Sequence, residues 1–144
     1  MGAAKKLIFV ALAVIAAAAL LISWAIVSTI GIEYSPYSPL NLLLTPSSLR
    51  DLPITERNGV KYWYKGEEGT AGELHAVIFS THTPPDRIRS SLTNYIESLG
   101  YKKSVSRGFE KDELDHGGSL NVASFFLEEE GPGRTKVEVT FVEY

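Results

Sequence analysis

The chain contains no cysteine. That one absence removes disulfides, thiolate zinc sites, a cysteine nucleophile, covalent haem attachment and a lipidated cysteine anchor together. Acidic residues are missing from the first 32 positions, and no charge of either sign lies between Leu7 and Ile32. Basic charge is in short supply afterwards. Beyond Ile32 twelve Lys and Arg face seventeen Asp and Glu, a formal balance of -5. Such a surface repels a nucleic-acid backbone and an anionic lipid sheet, so neither is expected as a partner. Catalytic motifs are absent as well. There is no Gly-x-Ser-x-Gly turn and no His-Glu-x-x-His, and Gly131-x-Gly133 lacks the further glycine and the Lys-Ser/Thr pair of a phosphate loop. The expectation is a chain that is not an enzyme and carries no cofactor.

What the sequence does have is an apolar run from Leu7 to Ile32, about 26 residues long. A hydrocarbon core of roughly 30 Å takes about 20 helical residues, so the run is long enough to cross with some tilt. Lys5 and Lys6 precede it, whereas the first basic residue after it is Arg50. This asymmetry keeps residues 1–6 in the cytoplasm and puts the rest outside, in the cell membrane. Trp24, Tyr34 and Tyr37 gather toward the outer end, where amphipathic rings favour the headgroup layer. Ala13 and Ala17, four apart, offer a small-residue face for helix association, although so alanine-rich a segment produces that spacing by composition alone. A removable signal peptide cut near Ser23-Trp24-Ala25 is the competing reading and would release a secreted domain. Apolar residues continue past that point at Ile26, Val27, Ile30 and Ile32, which favours a retained anchor.

Residues 33–53 read as a linker. Glu33-Tyr-Ser-Pro-Tyr-Ser-Pro39 is a stiff proline-fixed spacer, and Leu40 to Leu44 is apolar enough to lie in the interfacial layer or to dock on the domain behind it. Residues 54–144 form the domain proper. Val60–Lys65 and Glu73–Thr81 have strand character. Thr83-Pro84-Pro85-Asp86 opens a helix, with Thr83 as cap and Pro84 at the first helical position. Ile88, Leu92, Tyr95, Ile96 and Leu99 give it one apolar stripe, and Gly100 with Tyr101 closes it. Strands are expected at Tyr101–Phe109, Ser119–Leu127 and Thr135–Val142, with a polar loop from Glu110 to Gly118. The order β-β-α-β-β-β describes an α+β, two-layer domain with one helix on an antiparallel sheet.

With its Thr83-to-Asp86 helix start and its Leu99-Gly100-Tyr101 helix end lying between strands, the segment 52–144 resembles the small envelope-anchored α+β domains of prokaryotic membrane proteins and lipoproteins of unassigned function. The resemblance implies a fold and a location, and it brings no site residues with it.

Candidate sites are sparse. Asp112, Asp115 and His116 sit in the polar loop and supply oxygen ligands suited to a hard cation, but they lack regular calcium-loop spacing and fit a solvated turn, so no metal is expected. His75 and His82 are an odd number apart and point to opposite faces of one strand, as ordinary half-exposed histidines. Tyr62, Trp63 and Tyr64 offer an aromatic stacking surface. Two strands are apolar on both faces: Val77 and Phe79 oppose Ile78, and Phe125 and Leu127 oppose Val122 and Phe126. A single helix covers only one face, so the other is expected to be covered by the Leu40–Leu52 segment, by a partner protein or by a second copy. The aromatic triplet with Val77, Phe79, Phe125 and Leu127 is the expected interaction set. The functional expectation is an anchored extracytoplasmic binding or assembly module, an accessory subunit of an envelope complex. A pilin-like filament subunit is the alternative, disfavoured because Lys5 and Lys6 follow Gly2.

Overall fold

The computed structural model describes residues 3–67, 72–104, 108–113 and 119–143. The apolar run becomes one helix, α1, Ala3–Ile30. A helix satisfies every backbone group internally, the condition for crossing lipid, and the Ser23 hydroxyl is taken up by the Ala19 carbonyl at 2.8 Å. One stretch of α1, Ile8–Ile26, is long and apolar enough to span a membrane, and none of it is buried against the rest of the chain. Gly31, at φ +83°, ends the helix and leads straight into β1, Ile32–Tyr34.

The elements that follow are α2 (Pro39–Leu44), α3 (Ser47–Arg50), β2 (Asn58–Lys65), β3 (Glu73–Thr81), α4 (Pro85–Ser98), β4 (Lys102–Ser104), β5 (Gly108–Glu113), β6 (Ser119–Gly131) and β7 (Arg134–Glu143). The seven strands form one antiparallel sheet in the order β1-β2-β3-β7-β6-β5-β4. The α+β class and the antiparallel sheet match the expectation. The element order does not: a seventh strand precedes the domain's expected start, and the expected third strand is divided into β4 and β5. β5 also runs through Asp112 into the expected polar loop, because its backbone pairs with Ser119 to Ala123 on β6.

Residues 33–53 do not form a free linker. β1 pairs with β2 at the sheet edge, and Tyr34 is buried, stacked on Tyr62 with ring centroids 5.7 Å apart. Its hydroxyl meets Thr45 Oγ1 at 2.9 Å, and Thr45 in turn donates to Asn41 Oδ1 at 2.7 Å. Ser38 caps α2 by accepting from the Leu40 amide, with Pro39 fixing the first turn. Leu40 and Leu44, four apart, turn inward against the core, as do Leu49 and Leu52. α4 keeps the expected stripe, with Ile88, Leu92 and Ile96 fully buried. Its start differs: Pro84 occupies the cap and Pro85 the first turn, while Thr83 is tied back to Thr81 Oγ1. Its end is a Schellman turn, with Gly100 N–H donating to Glu97 O and Tyr101 N–H to Ile96 O.

All three domain helices lie on the same face. Leu49, Ile88, Leu92 and Ile96 join Tyr62, Tyr64, Val77, Phe79, Val137, Val139 and Phe141 in one core. Strand register puts those sheet residues on a common side, since Tyr62 pairs with Val77, Val77 with Val139 and Phe79 with Val137. The layer is therefore α4 together with α2 and α3. Leu40–Leu52 widens the cover on the helix side, and among the described residues no helix covers the opposite face of the sheet.

Candidate functional site

The open face follows from the same registers, read one residue out of step. β3 contributes Leu74, Ala76, Ile78 and Ser80, which pair with Val142, Thr140, Glu138 and Lys136 of β7. β6 continues the rows with Val122, Ser124, Phe126 and Glu128, and β2 adds Lys61 and Trp63 beside Ile78 and Ala76. Trp63, Leu74, Ala76, Ile78, Glu138 and Thr140 line a shallow depression of about 260 Å³. Phe126 stands 64% exposed and Trp63 36%. Ion pairs bound the patch on two sides, Lys61–Glu33 at 2.9 Å and Lys136–Glu128 at 3.3 Å. Toward the β6–β7 turn, the Ser80 hydroxyl donates to Glu130 Oε2 at 2.6 Å, and Arg134 pairs with the same oxygen at 3.2 Å. Apolar residues of β2, β3 and β6 on this face flank Thr140 and Glu138 of the central β7, and the margins carry both signs of charge, a mixed surface suited to a protein partner.

This reverses the expected interaction set. Tyr62, Tyr64, Val77 and Phe79 are buried under the helices, where the Tyr64 hydroxyl reaches Glu73 Oε1 at 3.3 Å. Burial, with the Glu73 charge adding to it, raises the Tyr64 pKa. Phe125 and Leu127 are half-buried against the same core, and Phe125 stacks on Phe109. Of the seven residues only Trp63 looks outward from the other side. On the opposing side Phe126 is exposed, Leu74 and Ile78 are half-buried, and the small Ala76 is buried between its neighbours. The signal that separates the two faces is β7, whose Val137, Val139 and Phe141 alternate with Lys136, Glu138 and Thr140. Val77 and Phe79 stand beside the apolar set and Ile78 beside Glu138.

The histidines occupy unlike settings. His75 is buried, not half-exposed, and its Nδ1 donates to the Leu44 carbonyl at 3.0 Å, which fixes the end of α2 to β3. His82 is exposed and bonds Glu56 at 2.7 Å, a contact that lowers the Glu56 pKa. Asp112 lies on β5, and Asp115 and His116 fall outside the described residues. No group of three His, Asp or Glu among the described residues is placed to hold a metal ion. On α1, Ala13, Ala17 and Trp24 are exposed along the apolar span, with Leu7 near its start. Tyr34 is buried in the core and does not present its ring outward, whereas Tyr37 is 95% exposed.

Trp63 has one further neighbour. A Cβ added at Gly31 would come within 2.8–3.0 Å of its indole ring. The open face thus begins at the point where the apolar helix ends. Fold and site together define a class: an apolar N-terminal helix joined without slack to an antiparallel sheet that, among the described residues, is helix-covered on one face only. Comparison with known protein families, with characterised proteins and with solved structures finds no match to this chain.

Proposed function

We propose that this chain is a single-pass membrane protein with its N-terminus in the cytoplasm and its α+β domain outside, acting as a binding and assembly module. The open sheet face receives a protein partner held in the same membrane, which makes the chain an accessory subunit of an envelope complex. The observation that carries this reading is the sheet face turned away from the helices, which presents Trp63 and Phe126 and adjoins the exit of α1. A face so placed moves only in the plane of the bilayer, which raises its effective concentration toward any partner similarly confined.

A photo-crosslinking residue at Phe126 in native membranes tests the reading, with the same residue at exposed Arg87, on the helix side, as control. The reading expects a discrete adduct from position 126 that is absent from position 87. An adduct of twice the 15.8 kDa chain mass would identify a second copy as the partner. Equal, diffuse labelling from both positions would refute the assignment of the face. Phe126→Ser is expected to abolish the adduct formed from a neighbouring probe at Ile78 while shifting stability by no more than about 0.5 kcal/mol, the usual range for an exposed position.

A further inference from the structure

We propose that the domain rests in the outer headgroup layer, held there by two apolar contacts that flank the helix exit: Trp63 on the open face, and Leu42 with Leu43 on the helix-covered side. The inference depends on α1 spanning the membrane, as set out above, and its occupant is the lipid surface itself.

Helix length sets the depth of the domain. The apolar stretch Ile8–Ile26 holds 19 residues, about 28 Å of helix, which matches a hydrocarbon core of roughly 30 Å. Gly31 lies five residues further on, about 7 Å at 1.5 Å per residue. A headgroup layer is about 5–8 Å thick on each side, from the difference between the full bilayer and its core. Gly31 therefore lies at the outer margin of that layer, and the Trp63 indole lies against Gly31. No spacer lifts the sheet away, since β1 begins at the next residue.

α2 returns to the same depth. β1 runs outward for three residues, and the chain then turns back until the Leu44 carbonyl meets His75 Nδ1 at 3.0 Å. His75 stands in the ladder row of Ile32 and Tyr64, the row attached directly to Gly31. The end of α2 is therefore brought back to the height of the helix exit. There Leu42 and Leu43 are 74% and 79% exposed, while Leu40 and Leu44 hold the helix to the core. Two adjacent leucines are costly to leave in water, because each holds a full apolar side chain away from any packed surface. Indole and leucine side chains are the types that settle at a membrane interface.

The chain has two tryptophans, Trp24 and Trp63, which allows each depth to be read separately. The full chain is reconstituted into uncharged phosphatidylcholine vesicles as the variants Trp24→Phe and Trp63→Phe. A third variant carries both changes together with Leu43→Trp. Emission is measured against a headgroup nitroxide lipid, lipids brominated along the acyl chain, and aqueous iodide, with circular dichroism confirming that each variant is folded. Trp63 and the reporter at position 43 are expected to lose emission to the headgroup nitroxide and to resist deep bromines. Trp24 is expected to respond to acyl-chain bromines. Failure of Trp24 to respond to any lipid quencher would overturn the span, and the proposal with it. A normal Trp24 response, with either other reporter blind to the nitroxide and open to iodide, would overturn the proposal alone.

Discussion

Gly31→Ala probes the joint between membrane helix and domain. Gly31 adopts φ +83°, a left-handed conformation that costs an L-residue about 1–2 kcal/mol. The added methyl would also approach Trp63 Cζ2 at 2.8 Å, closer than carbon atoms pack, and forcing extra volume into a filled site costs about 1–3 kcal/mol. The sum is about 2–5 kcal/mol, limited by what it takes to peel the three-residue β1 from β2 and release Tyr34. For a domain of this size each kcal/mol shifts the midpoint by about 3–5 °C. A thermal melt of the full chain in detergent should therefore fall by about 10 °C, and Trp63 emission should move to the red as the indole leaves its place. Trp63→Ala removes the clash and leaves the backbone strain, so the methyl should cost only about 1–2 kcal/mol in that background. An unchanged midpoint, or the same loss with and without the indole, would refute the close-packed joint.

Two further outcomes follow from the core and its tyrosines. Leu92, fully buried, should lose about 2–5 kcal/mol on Leu92→Ala, and Leu92→Asp should unfold the domain by placing a charge beneath α4; a folded, soluble Leu92→Asp protein would remove the basis for the helix layer. Burial raises the pKa of Tyr34, Tyr64 and Tyr95, with the Thr45 hydrogen bond partly offsetting it at Tyr34 and the Asp51 charge adding to it at Tyr95. Groups raised in the folded state favour folding below the unfolded value, so stability should hold up to about pH 10 and fall as pH rises through the folded values. Phenolate absorbance that titrates all seven tyrosines together, with the fold intact, would contradict that order.

The parts of this fold legible in the sequence are those fixed by local chemistry. α4 is written in its stripe and in Gly100-Tyr101, and α1 in the uncharged run that begins at Leu7. β1 is not legible, because three residues ahead of two prolines carry no strand signal; the pairing with Tyr62 to Tyr64 makes the strand. β5 is likewise hidden, since Glu110 to Glu113 reads as solvated and becomes strand only by pairing with β6. The two-faced apolar character of β3 and β6 is visible in sequence. Which face the helices take is decided by register against β7, a non-local fact. Leu42 and Leu43 show the same limit: composition marks the segment as apolar, and only the docking of Leu40 and Leu44 reveals which leucines remain outside.

The central claim is a retained span with its domain outside, and the absence of cysteine allows a direct measurement. Single cysteines are placed at Lys5, before the span, and at Tyr37, just beyond it and 95% exposed, and intact cells are treated with a membrane-impermeant maleimide. The account predicts immediate labelling at position 37, with position 5 labelled only after permeabilisation and on a chain of full mass. Labelling at position 5 in intact cells, or a mature chain that has lost position 5, would contradict it.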